Sequence, residues 1–247
     1  MEHIKRMQRL FREKEKEPFG SFQIKVMGRW WNEVELKNVL NALAIKGKEK
    51  ILDAGCADGR LLEYIYKKFP LCELYGTDFA LNPIRQVLKK NISAHLICAD
   101  VSELPIKDLF FDLVASVEVI FMLPTHEQRI KALTEFYRVL KEKGSVVITV
   151  DNYNTWFEEI DGGKEGFFKS APDLYAYLYK PEELKKDLEE AGFKVVKLTG
   201  INNLPRKYLN RFKKIGVLLD LFISNFFKTL SFKRGAYLLA KGIKGGS

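Results

Sequence analysis

An acidic residue and two glycines stand between an apolar run and a helical pattern. In the stretch ILDAGCADGRLLEYI, Asp53 closes the apolar run, and Gly55 and Gly59 bracket a short loop. Glycine has no Cβ, so its backbone can approach a ligand closely. The free N–H groups at the start of the following helix point toward the same place. The order of strand, glycine loop and helix therefore predicts a nucleotide-binding cradle.

The loop matches neither of two common phosphate-binding patterns. The dinucleotide fingerprint G-x-G-x-x-G, set on Gly55, needs glycine at the positions held by Ala57 and Arg60. A P-loop needs Gly-Lys-Ser/Thr, which does not follow. The charge of Asp53 repels phosphate and suits a cationic ligand. S-adenosylmethionine carries an ammonium, a sulfonium and no phosphate, so we predict this cofactor.

Acidic residues also mark the ends of the next two apolar runs. Asp78 ends LYGTD, where a carboxylate can accept hydrogen bonds from both ribose hydroxyls. Asp100 follows LICA, where its carboxylate can accept from the adenine amino group while the Val101 N–H donates to the ring. Ligands of parallel sheets bind outside the carboxyl ends of the strands. The predicted cofactor-binding residues are Asp53, Gly55, Cys56, Ala57, Gly59, Asp78, Phe79, Asp100, Val101 and Ser116.

Short apolar runs alternate with amphipathic segments along the chain. The predicted strands are 50–54, 73–77, 94–98, 111–117, 145–150, 194–199 and 235–242, and the predicted helices are 29–45, 59–68, 82–91, 126–141 and 181–191. Thr125 and Gln128 are spaced as a capping box at the start of the helix at 126. Alternation of strand and helix predicts an α/β protein with a doubly wound, mostly parallel sheet.

Five motifs stand in the order and spacing of a known family. They are ILDAGCADGRL, LYGTDFA, ICADVSELP, FDLVASVEVI and EFYRVLKEKGSVVITV, within residues 35–150. Together they resemble the class I S-adenosylmethionine-dependent methyltransferases, most closely the broad group that includes the ubiquinone/menaquinone-biosynthesis C-methyltransferases. The resemblance implies a Rossmann-like methyltransferase fold of seven strands, the last antiparallel. Ala57 departs from the glycine usual in the family.

The chain is predicted to have one main domain with additions. Residues 1–28 form a charged arm or helix, 29–243 the methyltransferase domain and 244–247 a tail. Within the domain, 151–180 is predicted to be an aromatic-rich loop on the substrate side, and 205–233 a basic amphipathic helical insertion.

The insertion has an apolar stripe with basic residues beside it. The stripe consists of Tyr208, Phe212, Ile215, Leu219, Phe222, Phe226 and Leu230, at steps of three or four. We expect this segment to cap the acceptor site and to contact an anionic membrane. A buried core helix and a dimer contact are the alternatives.

Methyl transfer from a sulfonium is an in-line displacement, so the protein must align the acceptor and exclude water. No catalytic residue is assigned from sequence, but Glu118, His126, Asp151 and Tyr153 are weak candidates for a general base. The motif Asn-Pro-Pro-Tyr, expected of many amino-group methyltransferases that act on nucleic acid, is missing after the fourth strand. A cysteine-based RNA mechanism would need a Cys past the fourth or fifth strand, but all three cysteines precede the fourth. We therefore favour a small-molecule or lipid-like acceptor. An RNA methyltransferase using its basic surface and a non-catalytic cofactor-binding module are the alternatives.

Composition and cysteine content indicate which partners and which compartment to expect. The 247 residues carry a net charge of +9, which favours acidic partners such as phosphates, nucleic acid or anionic lipid. Cys56, Cys72 and Cys98 match no zinc spacing, so we expect reduced thiols, no metal and a cytoplasmic protein, peripheral to a membrane at most. No stretch reaches the ~18 uncharged apolar residues of a membrane span. The oligomeric state stays open.

Overall fold

A seven-stranded sheet forms the centre of the computed structural model, which describes residues 2–14 and 27–245. Its strands are β1 (Lys50–Ala54), β2 (Glu73–Asp78), β3 (His95–Cys98), β4 (Phe111–Val117), β5 (Leu140–Asp151), β8 (Phe193–Ile201) and β9 (Tyr237–Lys244). The order is β3-β2-β1-β4-β5-β9-β8, and β9 runs antiparallel to both of its neighbours. The predicted Rossmann-like sheet with an antiparallel last strand is confirmed.

Nine α-helices are present in the described ranges. They are α1 (Glu2–Lys14), α2 (Arg29–Leu43), α3 (Arg60–Lys68), α4 (Leu81–Leu88), α5 (His126–Val139), α6 (Tyr153–Trp156), α7 (Pro181–Glu190), α8 (Arg206–Phe226) and α9 (Lys228–Arg234). Thr125 Oγ1 accepts from the Gln128 N–H at 3.1 Å. The reciprocal half of the predicted capping box is wrong, because Gln128 Oε1 is buried without a hydrogen-bond partner among the described residues.

Apolar layers cover both faces of the sheet. Neighbouring residues of β1 point to opposite sides: Leu52 packs in a layer with Phe136 of α5, and Ile51 in a layer with Val34 of α2. All four are completely buried, and each such side chain contributes about 1.5–3 kcal/mol through burial. Burial on both faces explains why the central strands read as continuous apolar runs.

Region 151–180 contains more regular structure than the predicted loop. Besides α6 it holds a 3₁₀ turn at Phe157–Glu159 and a hairpin of β6 (Glu165–Phe168) and β7 (Ala171–Tyr177). The hairpin has a register shift between Phe167 and Phe168 and is mostly half-buried. It therefore lacks the regular alternation that identifies a strand from sequence.

Both ends of the predicted domain differ from expectation in detail. Part of the predicted arm is the well-formed helix α1, while residues 1 and 15–26 lie outside the described residues. Strand β9 extends into the predicted tail as far as Lys244. Lys244 is buried, and its Nζ donates to the carbonyls of Tyr137 at 2.9 Å and Leu140 at 3.0 Å, which holds the strand end in place. Residues 246–247 lie outside the described residues.

Segment 205–233 is helical, but it is not a buried core element. Its predicted apolar stripe is exposed, by 39–72% at Tyr208, Phe212, Ile215, Leu219, Phe222, Phe226 and Leu230. The backbone leaves helical geometry at Lys213 (φ 49°, ψ −121°), and α8 and α9 meet at a bend of 117°. A Cβ on Gly200 would lie 1.9 Å from the Ser231 carbonyl oxygen, so glycine is required where α9 crosses β8.

No single helix in the described part of the chain is long and apolar enough to cross a bilayer. Of the helix pairs there, only the bent α8–α9 pair together has the length and apolar composition of a span.

Candidate functional site

A cavity lies at the carboxyl ends of β1, β2 and β4. It measures about 880 Å³, part of it open to solvent, which is within the usual range for small-molecule sites. The predicted cofactor residues that line it are Asp53, Gly55, Cys56, Ala57, Asp78, Phe79, Asp100 and Val101. Residues far apart in sequence meet here because parallel strands end at the same edge of the sheet.

The glycine loop is held by close packing. Gly55 has φ 85°, and a Cβ there would lie 2.3 Å from Val119 Cγ2, so no other residue fits without displacement. The N–H groups of Gly55 and Cys56 both donate to the Thr77 carbonyl at 2.8 Å, which ties the loop to β2. Ala57 has φ 45°. A non-glycine residue in this region costs about 1–2 kcal/mol, which explains why its departure from glycine is tolerable.

Asp53 is a buried carboxyl that faces the cavity. It is 2% exposed, and no described residue donates a hydrogen bond to it. Burial raises its pKa to about 7; Arg60 opposes this rise, and Asp78 and Asp58 add to it. A cationic group in the cavity would stabilise the carboxylate form. The cradle therefore fits the ammonium of an amino acid.

Asp78 is positioned by the backbone. Its Oδ2 accepts from the Ala57 N–H at 3.1 Å and its Oδ1 from the Ala80 N–H at 3.0 Å. Burial raises the pKa of Asp78 even though these bonds favour the charged form. Each carboxylate oxygen keeps a second acceptor position, so a pair of vicinal hydroxyls can bind there.

Asp100 already has a partner from α1. Its Oδ1 accepts from the Ser102 N–H at 2.8 Å, and Lys5 Nζ lies 2.8 Å from Oδ2. Partial burial alone would raise the pKa of Asp100, but the hydrogen bonds from Lys5 and Ser102 bring it below its usual value. The carboxylate that we expected to read the adenine amino group is thus shared with the N-terminal helix.

Helix α1 covers one side of the cavity, a role that the sequence did not reveal. Lys5, Gln8 and Arg12 line the cavity. Gln8 Nε2 donates to the carbonyls of Met122 at 3.3 Å and Tyr175 at 3.4 Å. The inward side chains recur at steps of three and four, which was the available signal, but they are polar and a search for apolar periodicity passes over them.

A second anchor holds α1 at its other end. The Glu13 carboxylate accepts from the N–H groups of Leu81 at 2.7 Å and Asn82 at 3.0 Å. An acidic group at a helix N-terminus is favoured by the helix dipole and satisfies free donors. Glu13 therefore docks α1 onto the start of α4.

Buried acids surround Arg60 next to the glycine loop. Arg60 Nη1 donates to Glu35 Oε2 at 2.7 Å, and Nη2 lies 3.8 Å from Glu118 Oε2. Burial raises the pKa of Glu35 to about 7, with Arg60 opposing this rise and Glu118 adding to it. Burial, then Glu118 and Glu35, raise the pKa of Asp151 well above its ordinary value. Of these acids, only Glu118 lines the cavity.

Two of the weak catalytic candidates lie away from the cavity. His126 is largely exposed, with Nδ1 3.7 Å from Asp187 Oδ1 and Nε2 3.5 Å from Glu190 Oε2. One ligand atom from each of these three side chains lies within 4.8 Å of the others. Tyr153 packs beneath the ammonium group of Lys180, 5.1 Å from the ring centroid. Neither His126 nor Tyr153 lines the cavity.

Two predicted cofactor residues also do not line it. Ser116 is completely buried within β4, and its Oγ has no hydrogen-bond partner among the described residues. It lies before the strand end, so its side chain does not reach the open edge. Gly59 is the N-cap of α3 with φ 78°, and a Cβ there would meet Val87 at 3.0 Å. Packing of α3 against α4 accounts for this glycine.

The cysteines differ in burial. All three are free; Cys56 and Cys72 are buried, whereas Cys98 is exposed at the end of edge strand β3. Strand β3 lies at the edge of the sheet and has a neighbour on one side only.

Comparison with known proteins identifies the family. A family model described as a methyltransferase domain matches residues 52–148. A candidate methyltransferase of Encephalitozoon cuniculi is 33% identical over 156 residues, which cover 59% of this chain and 70% of that protein. This chain belongs to the class I S-adenosylmethionine-dependent methyltransferases. The resemblance seen in the sequence motifs and the predicted cofactor are thereby confirmed.

Two other known proteins match nearly the whole length of this chain. An uncharacterised protein of Methanocaldococcus jannaschii is 28% identical over 240 residues, 93% of this chain and 95% of that protein. A solved S-adenosylmethionine-dependent methyltransferase from Thermotoga maritima superposes with a TM-score of 0.68 at 18% identity, covering 96% of this chain and 99% of that one. At that identity the likeness shows the shared fold.

Proposed function

We propose that this methyltransferase acts on a small-molecule or lipid-like acceptor that binds inside the cavity. The observation that carries the proposal is the position of α1, which is held over the cavity by contacts of Lys5, Gln8 and Glu13. An acceptor must fit beneath this helix together with the cofactor. Such a space suits a compact molecule better than a folded RNA, whose bases lie within a broad charged surface.

The acceptor side of the cavity combines apolar walls with one acid. Val117, Val119, Met122 and Leu123 contribute the apolar surface, and Glu118 lies among them in the sequence and lines the same space. We propose that the apolar residues bind the body of the acceptor and exclude water. Glu118 is then positioned to accept a proton from a hydroxyl or amino acceptor.

The cofactor supplies an electrophilic methyl group, and the protein supplies alignment. We propose that the Asp53 carboxylate binds its ammonium, Asp78 its ribose hydroxyls, and Asp100 with the Val101 N–H its adenine. The buried Asp53 carboxyl without a donor supports the first role, and the backbone-oriented Asp78 supports the second. Binding through Asp100 requires Lys5 to share or release that carboxylate.

Two alternatives from the sequence carry less weight. A non-catalytic module would not need a covered space beside the cofactor site. An RNA acceptor is favoured by the overall charge, but eight of the basic residues lie on a helix pair that does not line the cavity. We propose a cytoplasmic location, which the three free cysteines support.

Transfer of labelled methyl groups tests the acceptor class. The purified chain is incubated with radiolabelled S-adenosylmethionine and, separately, with a metabolite extract, a lipid extract and total RNA. We expect label in the metabolite or lipid fraction. The Glu118→Gln variant should keep cofactor affinity and lose turnover with a hydroxyl or amino acceptor. Label that appears in RNA alone would refute the proposal.

A further inference from the structure

Helix α8 buries polar as well as apolar side chains, and it leaves a long apolar stripe exposed. Asp220 and Ser224 of α8 are buried, at 0% and 1% exposure. The Asp220 carboxylate accepts from the Leu204 N–H at 2.7 Å and from Asn203 Nδ2 at 3.1 Å, which fixes this polar face inward. A surface helix of a globular protein normally buries its apolar stripe instead. The exposed stripe therefore needs a partner outside the domain.

The exposed apolar area is large and continuous along the pair. Nine large apolar side chains between Tyr208 and Leu230 are 39–72% exposed, and we call the outward face of residues 206–234 the α8–α9 surface. The Phe222 ring contacts Phe226 in a tilted arrangement at 4.8 Å and Phe227 edge-on at 5.7 Å between ring centroids. Clustered exposed apolar side chains mark interaction sites, whereas isolated ones do not.

All exposed charge on this surface has one sign. Residues 206–234 contain eight Lys and Arg, every one exposed, and their only acid is the buried Asp220. The segment thus holds most of the chain's net charge of +9. Apolar side chains flanked by basic ones complement a partner that is apolar below an anionic layer.

The bend between the helices adds a groove. Phe226, Phe227 and Leu230 line it together with Lys228 and Lys233. Apolar side chains and ammonium groups in one groove match an acyl chain and its phosphate headgroup. The groove is separate from the cofactor cavity, and the two share no lining residue.

We propose that the α8–α9 surface binds peripherally to a membrane that contains anionic lipid. The Phe, Leu and Ile side chains enter the headgroup and acyl boundary, and the basic side chains contact lipid phosphates. The helix pair carries eight exposed basic side chains, so the proposal places it in the interface. The proposal does not depend on which acceptor is methylated.

Two other occupants fit the observations less well. A single-stranded RNA could stack on the aromatic side chains of this surface, but it would leave the aliphatic Ile215, Leu218 and Leu219 without a partner. A second copy of this chain would place eight basic residues against the same eight, which like-charge repulsion opposes. Anionic lipid satisfies both the apolar and the charged side chains.

Vesicle co-sedimentation of the full chain tests the proposal. The probes are vesicles of pure phosphatidylcholine and vesicles with about one third phosphatidylglycerol, each at low and high salt. We expect binding to the anionic vesicles only, falling with salt because the basic groups are exposed. Phe222→Ser combined with Phe226→Ser should lower the bound fraction about tenfold or more. Lys213→Gln with Lys214→Gln should lower it to a similar degree.

Matched variants elsewhere control for nonspecific effects. Leu71 and Leu88 are 72% and 69% exposed but lie outside this surface, so Leu71→Ser with Leu88→Ser should leave vesicle binding unchanged. Lys48 and Lys186 are exposed lysines outside it, and their paired Gln variant should also bind as the parent does. Thermal stabilisation by S-adenosylmethionine shows that each variant is folded.

Three results would overturn the proposal. The first is no binding, or equal binding to neutral and anionic vesicles. The second is loss of binding in the matched controls to the same extent as in the Phe222/Phe226 variant. The third is a dimer in analytical ultracentrifugation that the Phe222/Phe226 variant abolishes, with no vesicle binding, which would assign the surface to self-association.

Discussion

The cofactor cavity and the α8–α9 surface treat charge in opposite ways. Around the cavity, acids such as Asp53 and Glu35 are buried, and burial raises their pKa values to about 7. On the α8–α9 surface every charged group that solvent reaches is basic. In our proposals the cavity acids attract a cationic ligand at short range, whereas the exposed bases attract an anionic surface at long range. One chain thus carries two regions with opposite electrostatic preferences.

Removing one cavity acid should have the largest effect of the changes considered. Asp78→Ala deletes both acceptors proposed for the ribose hydroxyls, and charge-assisted hydrogen bonds contribute about 1.5–3 kcal/mol each. We expect S-adenosylmethionine affinity to fall about 100-fold or more in calorimetry. Asp173→Ala, at an exposed acid away from the cavity, is the control and should bind normally. Unchanged affinity in Asp78→Ala would refute the ribose assignment.

A methyl group added to the glycine loop should destabilise the fold around the cavity. In Gly55→Ala the new Cβ collides with Val119 at 2.3 Å and φ is 85°, so we expect a loss of about 2–4 kcal/mol in urea unfolding. Gly47 has φ 117° with no atom within 4 Å, so Gly47→Ala should cost only the backbone strain, about 1 kcal/mol. Combining Gly55→Ala with Val119→Ala should cost less than the sum of the two. Equal costs at Gly55 and Gly47 would show that the collision is relieved.

Acidification should weaken cofactor binding. The cation needs the Asp53 carboxylate, whose pKa is raised to about 7, so affinity should rise about tenfold from pH 5.5 to 7 and flatten in Asp53→Asn. The effect on folding has the opposite sign. The Asp53 carboxyl keeps its proton up to about pH 7 in the native state but loses it near pH 4 in the unfolded state. Burial of Asp53 therefore destabilises the unliganded protein increasingly as pH rises from about 4 to 7. Calorimetry and urea unfolding across this range measure both. A parent profile that is flat for binding would exclude a role for Asp53.

A change of salt concentration should have the smallest effect of the changes considered, and it should affect the two regions differently. The cavity acids are buried and screened little, so S-adenosylmethionine affinity should change less than about twofold between 0.05 and 0.3 M salt. Vesicle binding by the exposed bases should fall severalfold over the same range. Parallel calorimetry and co-sedimentation at each salt concentration provide the comparison. Equal salt sensitivity of both would remove the contrast between a buried and an exposed electrostatic site.

The parts of the fold and of the candidate site that could be predicted depend on local sequence motifs. Strand, loop and helix are neighbours in the chain at Asp53 and Gly55, and strand-end acids such as Asp78 reach the same edge once the sheet is parallel. Eight of the predicted cofactor residues line the cavity for that reason. Ser116 does not line the cavity, because one strand position decides between the open edge and the interior. None of the residues 205–233 lines the cavity either, so the capping of the acceptor site by this segment stays a prediction.

The features that could not be predicted depend on contacts between residues far apart in the chain. Lys5 meets Asp100 across 95 positions, and Gln8 meets Tyr175 across 167. Polar helix residues at surface-like spacing carry no local mark of burial. Arg60 is similar: in sequence it excludes a dinucleotide loop, and only the fold places Glu35 and Glu118 around it.

The sequence alone predicted the sheet, the cofactor and the sheet edge proposed for the cofactor, because hydrophobic periodicity and glycine loops are local properties of the chain. It also placed an amphipathic helix at 205–233, but it could not say which face of that helix meets the domain. The tertiary structure decided this through Asp220, whose buried carboxylate pairs with Asn203 and the Leu204 N–H and turns the apolar stripe outward. It likewise decided that α1 covers the cavity. Both outcomes depend on hydrogen bonds between distant residues, and a buried polar group must find such partners wherever the fold provides them.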